Sequence, residues 1–105
     1  AEVLTFADNP HPARDVPSCV SGALDSLADC ATAEGDALGF EQVGEVATEE
    51  VDGASVIDAT PMLCRGGECP AVIGNVVVYR NDDHLTATYV RTMTEWLGGE
   101  LPAAV

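Results

Sequence analysis

At 105 residues the chain suffices for one domain with one modest core, and its 47% hydrophobic content excludes a disordered polymer. Acidic residues number 18 against 4 basic ones, all arginine, for a formal net charge of -14. No run of phosphates could be neutralised by such a chain, which argues against nucleic acid as a partner; the charge reads as a solvated acidic surface or as adaptation to high salt.

Aromatic residues make up only 5%, so Val, Ala, Leu and Ile must build the core. Val3 to Phe6 is a short apolar run and predicts a strand. It empties into a loop, Asp8 to Pro17, because the Asn-Pro and His-Pro steps of "ADNPHP" disfavour helix. From Ser18 to Cys30, apolar residues at Val20, Ala23, Leu24, Leu27 and Ala28 have helical spacing, which predicts one helix with a cysteine near each end. "ATAEGDALG" reads as loop. Phe40 to Val51 again has helical spacing, with Val43, Val46, Ala47 and Val51 as a core stripe and glutamates opposite; Gly53 is placed to end it. "ASVID" predicts a buried strand that stops at Asp58, a turn residue before Thr60-Pro61. "MLCRGGECPAVIG" is an irregular, stapled excursion, and "NVVVYR" a further strand. Thr86 is placed to cap a final helix that buries Tyr89, Met93, Trp96 and Leu97 and ends at Gly98-Gly99.

Strands that alternate with helices, as apolar runs rather than strict alternations, predict an α/β fold with a parallel sheet. Val3–Phe6, Ser55–Ile57 and Val76–Tyr79 are expected to run parallel. Two or three strands make a poor sheet, and the first begins without preamble, so part of the domain is expected upstream. No signal peptide and no apolar stretch of membrane length is visible in the sequence.

Four cysteines form two near pairs, Cys19 with Cys30 and Cys64 with Cys69. Zinc and free thiols are the alternatives to disulfides, and neither pair has the tight spacing of a CxxC zinc site. Of three possible pairings the local one costs least to close. Two disulfides would imply an oxidising, extracytoplasmic compartment. No cofactor or metal is expected.

The stretch "CPAVIGNVVVYRNDDHLTATYVRTMTEWL" resembles the C-terminal end of the SGNH hydrolase-like domain attached to bacterial membrane acyltransferases of the acyltransferase-3 type. "NPHPARDVPSCVSG" and "VIDATPMLCRGGECPAVIG" resemble two further landmarks of that domain, and the resemblance spans Val3 to Leu97. It implies part of a three-layer, flavodoxin-like α/β fold with a parallel sheet. It also implies a Ser-Asp-His mechanism, with an acyl donor, a cell-wall or surface glycan as acceptor, and a membrane acyltransferase domain in cis. The serine of such domains lies in a Gly-Asp-Ser motif near their start, and an Asp-x-x-His motif near their end supplies the other two residues. His84 stands on the histidine position.

Two departures matter. No Gly-Asp-Ser occurs in the sequence, so the chain reads as the C-terminal portion of the domain without its nucleophile. The position three before His84 is Asn81, followed by Asp82 and Asp83. A serine hydroxyl needs a histidine to take its proton and a carboxylate to orient the ring. Asn81 is expected to hold one ring tautomer without offsetting the imidazolium charge; Asp82 or a backbone carbonyl is the candidate to make up part of that loss, since a shift of one position redirects the side chains of Asp82 and Asp83. His11, in "NPHPAR", reads as a loop histidine or a substrate-loop contact. The alternative to an acyl-transfer role is a non-catalytic, SGNH-derived binding or structural module; a small disulfide-stapled binding domain of other ancestry is a third.

Overall fold

The computed structural model describes residues 2–101. Strand β1, Val3–Phe6, pairs in parallel with β3, Ala54–Ile57, in the register Val3 to Ala54 through Phe6 to Ile57. Parallel neighbours need a long crossover, and here the intervening chain includes helix α3, Val43–Glu49, which packs on both strands. Its close approach is made at Gly44, where a Cβ would stand 3.2 Å from Cγ2 of Thr5. The result is a mixed α/β fold with a small parallel sheet against a helix, as the sequence predicts.

The predicted valine stripe of α3 is not core. Val43 is 68% exposed, Val46 50% and Val51 53%. The face that meets the sheet is the Gly44 side, because a two-stranded sheet is too narrow to receive a second row of side chains. The core lies elsewhere, around Val16, Val20, Leu63, Val78, Tyr79, Tyr89 and Met93, with Cys30, Cys64 and Cys69 among them.

The predicted Ser18–Cys30 helix is two pieces. Helix α1, Val16–Gly22, starts inside the predicted loop: Asp15 caps it, accepting from the amide of Ser18 at 3.3 Å, and Pro17 is tolerated in the first turn. A 3-10 helix, Leu27–Cys30, follows, with the Ser26 hydroxyl donating to Asp29 at 2.9 Å. Cys19 and Cys30 form a disulfide that ties the two pieces. The predicted loop "ATAEGDALG" contains strand β2, Thr32–Ala33, and helix α2, Glu34–Ala37.

The excursion is more ordered than its composition suggests. It opens with helix α4, Thr60–Leu63, after Asp58 accepts from the amide of Thr60 at 2.9 Å, the predicted turn role. The second disulfide, Cys64 to Cys69, closes a turn whose Gly66 and Gly67 both take left-handed backbone angles (φ 63° and 85°). Such a turn suits two glycines because neither carries a Cβ. Strand β4, Glu68–Cys69, then pairs antiparallel with β2.

The third predicted parallel strand is a correction. Val72–Ile73 (β5) and Val76–Val77 (β6) form an antiparallel hairpin, outside the β1–β3 sheet. Its two-residue loop is Gly74-Asn75, both at positive φ (56° and 64°), the geometry that matches the twist of paired strands. Thr86 caps the next helix as predicted, accepting from the Tyr89 amide at 3.1 Å while donating to the Val77 carbonyl at 2.7 Å. That helix is broken at Met93 into α5, Ala87–Thr92, and α6, Thr94–Glu100. Thr92 and Thr94 each donate a hydroxyl hydrogen bond to the carbonyl three residues back, which competes with the helical ladder and bends it. Gly98 and Gly99 lie inside α6 and do not end it.

Candidate active site at the His84 turn

Val78 and Tyr79 are fully buried and carry the chain straight into an exposed turn. The turn is closed at its neck: the Arg80 amide donates to the His84 carbonyl at 2.9 Å, and Tyr79 bridges to Leu85. Inside it, Asn81 Oδ1 accepts from the amides of Asp83 (3.0 Å) and His84 (2.8 Å). An asparagine side chain that accepts from amides ahead of it pre-forms such a turn.

The sequence places Asn81, Asp82 and His84 as candidate site residues. The fold brings Asn81 to the imidazole: its Nδ2 is 3.1 Å and its Oδ1 3.2 Å from His84 Nδ1. The carboxylate that meets the ring is that of Asp83, whose Oδ1 is 2.7 Å from Nδ1. Asp82 takes part through its backbone, its carbonyl accepting from the Ala13 amide at 3.3 Å. The His84 side chain is 57% exposed.

The loop after β1 is stitched to this turn. Asn9 donates from Nδ2 to the Asp83 carbonyl at 2.8 Å. Its neighbour Asp8 is held by Gln42 on both sides of the backbone, the amide donating to Oε1 at 2.9 Å and the carbonyl accepting from Nε2 at 3.1 Å. Because β1 and β3 are parallel, these contacts place His84 beside their shared carboxyl ends, the edge at which open α/β sheets take ligands. An apolar groove of about 510 Å³ lies at the same edge, lined by Phe6, Asn9, Ala59, Leu85, Met93 and Trp96 among others. His11 stacks on Phe40 with ring centroids 4.0 Å apart and lies 3.4 Å from an Asp8 oxygen. That contact belongs to the β1 loop.

Beneath the turn, burial pushes the Tyr79 phenol up to about 12, helped by the nearby Tyr89 phenol. Among the described residues the Tyr79 hydroxyl has no hydrogen-bond partner, whereas Tyr89 donates to the Met62 carbonyl. Sequence reasoning overlooked Asn9, and it noted Asp83 but placed the candidate site on Asp82. Asp83 had a signal, the doubled aspartate before the histidine; Asn9 had none, since its partner is 74 residues away.

Among the described residues no group of three or more His, Cys, Asp or Glu side chains is disposed to hold a metal ion, and no helix is long and apolar enough to cross a membrane. No curated protein and no solved structure matches the chain. Over residues 1–97 it matches the family described as the SGNH domain fused to AT3 domains, and the chain belongs to that family.

Proposed function

We propose that this chain is the C-terminal, histidine-bearing portion of an extracytoplasmic SGNH acyltransferase or esterase domain acting on O-acylated cell-wall or surface glycans. His84 is the general base. The nucleophile is a serine from an upstream segment of the same domain, and a membrane acyltransferase domain in cis passes on the acyl group. The observation that carries this reading is the position of His84: fixed by a closed turn at the carboxyl ends of two parallel strands, with its Nδ1 side engaged by protein groups. A ring held by Nδ1 presents Nε2 to a hydroxyl. The serine proton passes to Nε2 as its oxygen attacks the acyl carbonyl, and Nε2 gives that proton to the donor group as its bond to the acyl carbon breaks; a sugar hydroxyl or water, giving its own proton to Nε2, then takes the acyl group, and the proton returns to the departing serine oxygen.

The upstream segment has a place to sit. The sheet has two strands, Val3 and Phe6 of β1 are 53% and 55% exposed, and the α3 valines stand open beside them. Two disulfides suit an oxidising compartment. The test is ester hydrolysis with para-nitrophenyl acetate, using this chain alone and then the domain extended upstream. Activity that appears with the extension and disappears in His84→Ala supports the reading. A correctly folded extended domain without activity leaves the second reading, a non-catalytic SGNH-derived module. Asn81, standing where the family's motif carries aspartate, favours that second reading.

A further inference from the structure

Asn81 occupies the place of the triad carboxylate, but its oxygen is already committed. Oδ1 accepts two backbone hydrogen bonds, at 3.0 and 2.8 Å, and an amide oxygen has two lone pairs. Those two bonds also fix which way the amide points, because an NH2 group cannot accept from a backbone N–H. The free atom that Asn81 turns toward the imidazole is therefore Nδ2, a donor, 3.1 Å from Nδ1. An aspartate would place its second oxygen, an acceptor, at this spot. A donor facing Nδ1 favours the neutral ring with its proton on Nε2, and a protonated Nε2 cannot accept a proton from a hydroxyl.

Asp83 acts in the opposite sense. Its Oδ1 stands 2.7 Å from Nδ1, shorter than either Asn81 contact. Charge-assisted hydrogen bonds are about twice as strong as neutral ones, so the carboxylate wins the competition for Nδ1. The residue is anchored for the task, since its carbonyl is held by Asn9 and its amide by Asn81. We propose that Asp83 is the positioning carboxylate of His84, and that residue 81 keeps only the turn. This rests on reading His84 as a general base. The neutral ring carries its proton on Nδ1, the Nε2 lone pair faces the nucleophile, and the Asp83 charge balances the imidazolium formed when the hydroxyl proton arrives.

The tautomer can be read on this chain without any nucleophile. At about pH 9, above the ordinary imidazole range, the ¹⁵N shifts of a labelled histidine separate the protonated from the unprotonated ring nitrogen. The wild-type chain is expected to show Nδ1 protonated. Asp83→Ala should move the proton to Nε2. Adding Asn81→Asp to Asp83→Ala should return it to Nδ1. A wild-type ring protonated on Nε2 overturns the proposal with no variant needed. So does an Asp83→Ala ring that stays protonated on Nδ1 while the amide spectrum outside residues 80–86 is unchanged. Because the readout is a tautomer, an inactive extended domain would sink the functional reading and leave this result standing.

Discussion

The side-chain amide of Asn9 donates to the backbone carbonyl of Asp83 at 2.8 Å, joining the loop after the first strand to the turn that carries His84, 74 residues later. Together with the Ala13 amide donating to the Asp82 carbonyl at 3.3 Å, this bond brings the two ends of the chain to one edge of the candidate site. Asn9→Ala should destabilise the chain by about 1 kcal/mol, the ordinary worth of such a bond. Amide exchange at Asp83 and His84 should quicken more than exchange in α1. Equal acceleration everywhere would mean that Asn9 supports only global stability.

Tyr79 offers a stability test with a defined sign. Its hydroxyl is buried without a partner among the described residues, so Tyr79→Phe removes a desolvated polar atom and should leave stability unchanged or raise it by about 1 kcal/mol. The phenol ionises near 12 in the fold against 10.0 for an ordinary tyrosine. A raised folded value means that the native state holds its proton more tightly than the unfolded chain, so stability is intact below pH 10.0 and falls as pH rises from 10.0 toward 12. Urea midpoints between pH 9 and 11 should decline more steeply in the wild type than in Tyr79→Phe.

The two disulfides should differ in worth. Cys19–Cys30 spans 11 residues and Cys64–Cys69 spans 5. Loop-closure entropy assigns them about 3 and about 2 kcal/mol respectively. Paired Cys→Ser variants measured by chemical denaturation should rank in that order. The reverse order would show that the short staple acts through the native packing of Cys64 and Cys69, both buried.

Core placement gives a paired comparison. Leu63 is fully buried, and Leu63→Ala should cost about 2–5 kcal/mol. Val43, 68% exposed on α3, should tolerate Val43→Ser within about 0.5 kcal/mol. A large loss at Val43 in this chain would mean that the stripe is buried in solution, for example by self-association.

Much of the local structure was legible because its causes are local. The Val3–Phe6 strand, the Thr86 cap and the Asp58 turn each depend on residues a few positions apart. Local disulfide pairing is legible for the same reason. The Gly74-Asn75 hairpin was equally local, and "VIGNVV" carries its signal; reading Val76 to Tyr79 as one parallel strand passed over a two-residue turn with both angles positive. The helix breaks at Gly22–Ser26 and at Met93 were less visible. Apolar spacing runs through both; the Met93 break coincides with hydroxyls of Thr92 and Thr94 that bond the backbone, and the first lies between two short pieces that a disulfide joins.

The sequence by itself determined the family, the parallel α/β character, the two staples and the histidine to watch, since each rests on residue types at short spacing. The tertiary structure alone decided what surrounds that histidine. Spacing put Asn81 in the orienting position, and the hydrogen-bond count at its oxygen decides that it offers the ring a donor. The carboxylate at Nδ1 belongs to Asp83, because a tight turn folds an adjacent side chain back onto the ring. Which valines are core was likewise settled by the width of the sheet, a property of how many strands assemble and not of any one helix's pattern.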